Sequence, residues 1–171
     1  MKSAVVFFSY DGNTRYLAGK ISRELNSELI ELSVVRQRHA TDRETFAWRT
    51  RQVSTSPIPE VRFADFAFHE ADLIVVGTPV WAGSMAPAVR SFFRSYDFFR
   101  TNFALFACYA GRVGSALQHM KDMLIGNTII GELSIREPLQ HNREGASHEV
   151  TMWARQLFDT LQQPQRKEAS L

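Results

Sequence analysis

The chain has 171 residues, 44% of them hydrophobic and 22% charged, with one cysteine and a formal net charge of +2. That length suits one domain with a full core, and Cys108, standing alone, excludes an internal disulfide. No apolar run approaches the roughly 20 residues of a membrane-spanning helix, and the sequence lacks the basic stripe and module of a nucleic-acid binder.

Met1-Lys2-Ser3 leads straight into Ala4 to Phe8, a run rich in β-branched and aromatic residues. It is too short and too abruptly ended to be a signal peptide, so a cytoplasmic location is expected. It predicts a strand buried on both faces of a parallel sheet. The polar turn Ser9-Tyr10-Asp11-Gly12-Asn13-Thr14 follows. From Thr14 to Leu25, Leu17, Ala18, Ile21 and Leu25 fall on one helical stripe. Ser27 to Val35 predicts a second strand, less uniformly apolar, as an edge position tolerates.

Arg36 to Pro59 reads as an insertion within the second crossover, too short to bury a core of its own. Its Arg-dense part, Arg36 to Arg51, also contains Asp42 and Glu44 and reads as a solvated linker face. Thr41-Asp42-Arg43-Glu44 has the form of a capping box opening a short helix through Gln52. Leu73 to Gly77 predicts the third strand, followed by a loop from Thr78 to Ser84 and a helix entered at Pro87. Phe103 to Tyr109 is the fourth strand, Gly114 to Leu124 a helix, and Thr128 to Ile135 the fifth strand. Val150, Trp153, Ala154, Leu157, Phe158 and Leu161 space a closing helix. One domain over 1–163 with a polar tail over 164–171 is the expected organisation.

Strands alternating with helices imply an α/β fold: a parallel sheet with right-handed crossovers and helices on both faces. Ligands in such folds bind outside the carboxyl ends of the strands, where strand order reverses. Three loops lie there: Ser9 to Thr14, Thr78 to Ser84, and Tyr109 to Val113. They carry small and aromatic residues and no acid–base pair, so they suit a preformed cofactor better than side-chain catalysis. The first is an anion cradle in form, combining backbone N–H groups, a helix N-terminus and small hydroxyls.

Val5-Val6-Phe7-Phe8-Ser9-Tyr10-Asp11-Gly12-Asn13-Thr14-Arg15-Tyr16-Leu17-Ala18, with Ile21 beyond it, resembles the phosphate-loop signature of the flavodoxin family. Ala71 to Gly83 resembles the same family's third strand and flavin loop, and the likeness continues through Pro87 to Phe93 and Phe103 to Gly111. The resemblance implies a flavodoxin-like three-layer sandwich with a five-stranded parallel sheet in the order 2-1-3-4-5, and FMN as cofactor. It implies that Ser9, Asp11, Gly12, Asn13 and Thr14 hold the phosphate. Thr78, Pro79, Val80, Trp81, Ala82 and Gly83 would line the ribityl chain and one side of the ring. Tyr109, Ala110, Gly111 and Arg112 would border the pyrimidine edge.

Elementary chemistry agrees with several of these roles. Gly12 allows close backbone approach, and the hydroxyls of Ser9 and Thr14 donate without bringing charge. The Asp11 side chain is expected to point away from an anion, leaving only its N–H inward. Trp81 offers a flat surface for stacking; its alternative is packing on the helix after Pro87. Tyr109 either faces the ring or the core edge. Arg112 either lies in solvent or stabilises an anionic reduced flavin and raises its potential. Cys108 reads as a small buried hydrophobe rather than a redox thiol. His39, His69, His119, His141 and His148 show no ligand spacing, so no metal is expected.

The implied activity is electron transfer through the flavin, with no catalytic side chain required. Two forms are open: a carrier docking to a redox partner protein, or an NAD(P)H-dependent oxidoreductase serving a small-molecule acceptor such as a quinone. A flavin-free interaction module is a third. Neither nucleic acid nor membrane is an expected partner. Carrier flavodoxins are typically acidic and this chain is not, which weakens the carrier form or implies an acidic partner.

Overall fold

The computed structural model describes residues 1–35 and 59–162. The insertion with its capping box, apart from Pro59, and the polar tail lie outside the described residues.

Strand β1 (Ser3–Phe7) is buried at all five positions. Its side chains alternate between two cores, as the period of a strand demands. Ala4 and Val6 enter one core; Val5 and Phe7 enter the other. The same division holds along β5 (Leu73–Trp81) and β7 (Asn102–Tyr109): Ile74, Val76, Phe103 and Leu105 face one side, Leu73, Val75, Ala104 and Phe106 the other. With β2 (Glu28–Glu31) and β8 (Thr128–Arg136) these strands form a parallel sheet in the order β2-β1-β5-β7-β8. Counted along the chain, that is the expected 2-1-3-4-5.

Helices α1 (Asn13–Leu25) and α4 (Arg143–Gln162) cover one face through Leu17, Ile21, Val150 and Leu157. Helices α2 (Pro87–Arg94) and α3 (Ala116–Asp122) cover the other through Val89, Phe92 and Met120. On that second face, Phe63, Phe66, Phe68, Phe92, Tyr96, Phe98 and Phe103 form a chain of aromatic contacts with ring centroids 4.9–6.3 Å apart. Such offset and edge contacts add to area burial. They fix the segment leading into β5, including a 3₁₀ turn at Phe68–Glu70.

Several boundaries differ from the sequence reading. The stretch from Ser27 to Val35 is not one strand. After β2, Leu32 still donates its N–H to Phe7 at 2.8 Å. Then β3 (Ser33–Val34) leaves the sheet to pair antiparallel with β4 (Val61–Arg62). The expected loop from Thr78 to Ser84 is also wrong in form. β5 runs on through Trp81 and folds back as a hairpin with β6 (Ser84–Met85). The helix expected from Gly114 begins at Ala116, because Gly114 adopts φ 57°, a left-handed conformation incompatible with an α-helix.

The closest internal fit of the sheet is at Gly77. A Cβ added there would lie 2.0 Å from Cζ of Phe106, the residue directly across from it on β7. Phe106 itself is fully buried. Gly77→Ala is therefore expected to destabilise the fold by about 1–3 kcal/mol through overpacking. In urea the midpoint should fall while the slope stays constant; an unchanged midpoint would show that the ring can move aside.

Candidate functional site

The carboxyl ends of β1, β5 and β7 bring the three expected loops to one edge. Gly12 precedes α1 with φ 92°, a left-handed turn that points the first N–H groups of the helix outward. Three of those donors are satisfied within the chain. Asn13 donates to Oδ1 of Asp11 at 3.0 Å, Arg15 to Oγ of Ser9 at 3.2 Å, and Tyr16 to the Gly12 carbonyl at 2.9 Å. The expectation for Asp11 is thus corrected. Its carboxylate turns back onto the loop and occupies a helix N–H, where an anion would otherwise accept. Ser9 keeps its hydroxyl proton free to donate.

Asn13 and Thr14 are 2% and 0% exposed. Nδ2 of Asn13 has no hydrogen-bond partner among the described residues, and Oγ1 of Thr14 has no oxygen or nitrogen partner there, only the sulfur of Cys108 beside it. Burying such a group unpaired costs about 1–3 kcal/mol. Oδ1 of Asn13, by contrast, accepts the N–H of Leu139 at 3.0 Å. That bond ties the loop after β8 to the turn before α1, and Cδ1 of Leu139 lies 3.5 Å from where a Gly12 Cβ would stand. Leu139 carries no sequence motif; its role follows only from the fold.

In the second loop, Thr78 is fully buried and its hydroxyl is used internally: Oγ1 accepts the N–H of Ala86 at 2.9 Å and lies 3.0 Å from the Pro79 carbonyl. Thr78 and Pro79 pair across the sheet with Ala107 and Cys108. Val80 and Trp81 pair with Met85 and Ser84, and the turn between them is Ala82 and Gly83 at φ 48° and 74°. Positive φ at both turn residues is the geometry that suits a two-residue hairpin. For Ala82 it carries strain of about 1 kcal/mol or more. The Trp81 ring is only 8% exposed and meets the edges of Phe8 and Tyr10, with centroids 5.6 and 6.2 Å apart.

The third loop presents Tyr109 half-buried and Ala110, Gly111 and Arg112 exposed. Its backbone is held at Tyr109 by the N–H of Glu137 at 3.0 Å and at Ala110 by Nε of Arg136 at 2.9 Å. The loop is locked to the hairpin by contacts that sequence reading missed. A Cβ on Gly114 would stand 2.6 Å from the Cα of Gly83; Ser115 donates its N–H to Gly83 at 2.8 Å; Oγ of Ser84 lies 2.8 Å from Nδ1 of His119. Gly114 could have been suspected only from its pairing with a second glycine across a turn, which one sequence does not show.

Cys108 is free and buried beneath this edge. Burial pushes its thiol up to about 12. The neighbouring Thr14 hydroxyl acts the other way, and the Asp11 charge adds to the rise. Among the described residues no cluster of His, Cys, Asp and Glu could hold a metal, and no helix is long and apolar enough to cross a membrane.

No protein-family model and no curated protein matches the sequence. Solved structures do. A flavoprotein from Lactobacillus acidophilus NCFM, crystallised in complex with FMN, is 25% identical with a TM-score of 0.70, covering 90% of this chain and 98% of its own. A flavoprotein from Bacteroides uniformis ATCC 8492 reaches a TM-score of 0.71 at 19% identity, over 87% of this chain and 97% of its own. A flavodoxin from the domain Archaea gives 0.60 at 17% identity, over 94% and 99%. The chain has the flavodoxin-like fold.

Only the protonated thiol of Cys108 fits its native surroundings. At pH 8 a pKa of about 12 leaves about one thiolate in ten thousand, and the thiolate is the nucleophile. Alkylation by iodoacetamide at pH 8 should be undetectable within an hour in the native protein and rapid in 6 M guanidinium. Fast native labelling would mean that the site edge opens readily. The sign for stability follows: below the unfolded pKa of 9 the raised thiol costs nothing, and stability falls as pH rises from 9 towards 12.

Proposed function

We propose that the chain binds FMN at this edge and passes electrons through it. The observation that carries the reading is a pair of buried donors at the start of α1: Nδ2 of Asn13, unpartnered among the described residues, and Oγ1 of Thr14, with only the sulfur of Cys108 beside it. A phosphate in the turn above them supplies the acceptors they lack. The flavodoxin-like fold and the FMN of the Lactobacillus flavoprotein support the same ligand.

Each part of the edge then has a task. Ser9 and Thr14 donate hydroxyl protons to a phosphate, Asn13 donates its amide, and Gly12 lets the backbone come near. The Asp11 carboxylate releases the Asn13 N–H when a stronger anion arrives, because two negative charges cannot share it. The Trp81–Ser84 hairpin and the Tyr109–Arg112 loop flank the ring and hold water away from one side. Thr78 and Pro79 support the hairpin from within the sheet, the Thr78 hydroxyl already being used on the Ala86 N–H. When bound, the flavin supplies the electron chemistry, and the protein sets access and potential. A cytoplasmic electron carrier is the form we favour; an NAD(P)H-dependent oxidoreductase is the alternative.

Three measurements test this. Titrating the purified chain with FMN should quench flavin fluorescence to an equimolar endpoint; no binding would overturn the reading. Thr14→Val should raise the FMN Kd about tenfold, equivalent to about 1.4 kcal/mol, yet leave the stability of the ligand-free protein nearly unchanged, because the sulfur of Cys108 beside that hydroxyl is only a weak acceptor. A drop in ligand-free stability would instead give that hydroxyl a structural role. Steady NAD(P)H oxidation with a quinone would favour the oxidoreductase, and reduction only through a protein donor the carrier.

A further inference from the structure

On the face built by α1 and α4, two adjoining grooves lie outside the proposed flavin site. One, about 660 Å³, runs between Tyr16 and Lys20 of α1 and residues 143–155 of α4. The other, about 440 Å³, lies between α1 and Leu29 of β2. Arg15, Lys20, Arg23, Arg143 and Arg155 line them, against the single carboxylate of Glu144. Glu31 neutralises Arg15 and Glu24 neutralises Arg155. Lys20, Arg23 and Arg143 have no carboxylate within 4.0 Å among the described residues. Lys20 and Arg143 stand instead over the ring of Tyr16, 5.7 and 5.2 Å from its centre, with Arg143 exposed.

Two residue choices here run against helix chemistry. Arg143 opens α4, where the helix dipole favours an acid. Gly19 sits inside α1 and lines the second groove, although nothing lies within 4 Å of the Cβ it lacks. Glycine there costs about 1 kcal/mol relative to alanine, with no gain in internal packing. The gain is an open floor that another backbone could approach. Leu29 and Met152 add apolar surface at the groove margins, 44% and 42% exposed. Apolar surface among positive charges is the make-up of a protein interface rather than of a pocket for a small anion.

We propose that this face docks an acidic protein, the one-electron redox partner of the flavin site. The proposal rests on the FMN reading for the partner's role; the docking itself is carried by the grooves alone. The face begins at Arg15, next to Thr14, and α1 then descends away from the ligand edge. Residues 143–155 extend it by about 18 Å along α4 at 1.5 Å per residue. A nicotinamide nucleotide lying there would be led away from the ring that must take its hydride. A protein partner needs no such contact: each electron it gives up oxidises its own centre and reduces the flavin by one, while protons come from solvent. The positive face offsets the acidic partner's charge and speeds encounter.

The test uses the full chain, with and without FMN, and a fluorescein-labelled twelve-residue poly-L-glutamate as probe. Anisotropy should show binding at 20 mM salt that weakens at least about tenfold at 200 mM. Lys20→Glu with Arg143→Glu should weaken it at least about tenfold, whereas Arg94→Glu with Arg100→Glu, on other parts of the surface, should change it less than about twofold. Equal losses in both double variants, no binding of poly-L-glutamate, or tighter binding of dT12 or phosphatidylserine vesicles at the same face would overturn the proposal. Flavin fluorescence, read in the same samples, reports separately whether FMN binds.

Discussion

Everything at the ligand edge depends on where β1 ends. It lies between β2 and β5, so strand order reverses beside it, and the crossovers on its two sides leave a crevice at its carboxyl end. Both of its faces are buried, which removes any freedom to slide: a shift of one residue would exchange Val5 and Phe7 with Ala4 and Val6 between two differently shaped cores. The turn at Gly12 is thereby held at a fixed height above the sheet. The N-terminus of α1 inherits that position, and with it the buried donors of Asn13 and Thr14.

The rest of the edge is a set of rims fastened to one another rather than to the sheet alone. Leu139 grips Asn13 through its amide oxygen. Gly83 and Gly114 touch backbone to backbone, and Ser84 meets His119. The site also carries local costs: a left-handed Ala82, an orphaned amide at Asn13 and a Thr14 hydroxyl with only a sulfur beside it. A fold selected for stability alone would not gather these at one edge. They are the features expected where a ligand completes the hydrogen bonding.

The strands were legible because the doubly buried runs Ala4 to Phe8, Leu73 to Gly77 and Phe103 to Tyr109 leave almost no other reading; their order in the sheet followed only from the resemblance to the flavodoxin family. The turn from Ser9 to Thr14 was legible as a strand–helix turn because its glycine and hydroxyl residues have a local purpose. The hairpin was not. Its turn, Ala82-Gly83, lacks the Asn-Gly or Asp-Gly pair that marks such a turn, and Pro79 argues against a central strand. The structure removes that objection: β1 pairs with β5 only as far as Gly77, so Pro79 lies past its end. The split of the second strand was equally hidden, because Ser33 and Val34 pair with Val61 and Arg62, residues far along the chain. The fastening contacts of Leu139, Gly114 and His119 are tertiary, and no local pattern announces them. The carboxylate of Asp11 escaped for another reason. The expectation rests on repulsion from a bound anion, whereas a helix N-terminus itself demands an acceptor, and Asp11 supplies it.

Charge is where this chain departs from an acidic carrier. An excess of two positive charges over 171 residues says little by itself. Its distribution says more. Glu24 of α1 and Glu31 of β2 are each spent on one arginine, while Lys20, Arg23 and Arg143 have no carboxylate within 4.0 Å among the described residues. Exposed pairs of this kind add little to stability, so stability is a weak reason for the arrangement. The unpaired positive charge therefore runs from Arg143, at the start of α4 beside Tyr16, through Lys20 to Arg23 in the last turn of α1. Such a run favours a partner carrying an acidic patch, and its start beside the turn at Thr14 sets that partner's orientation.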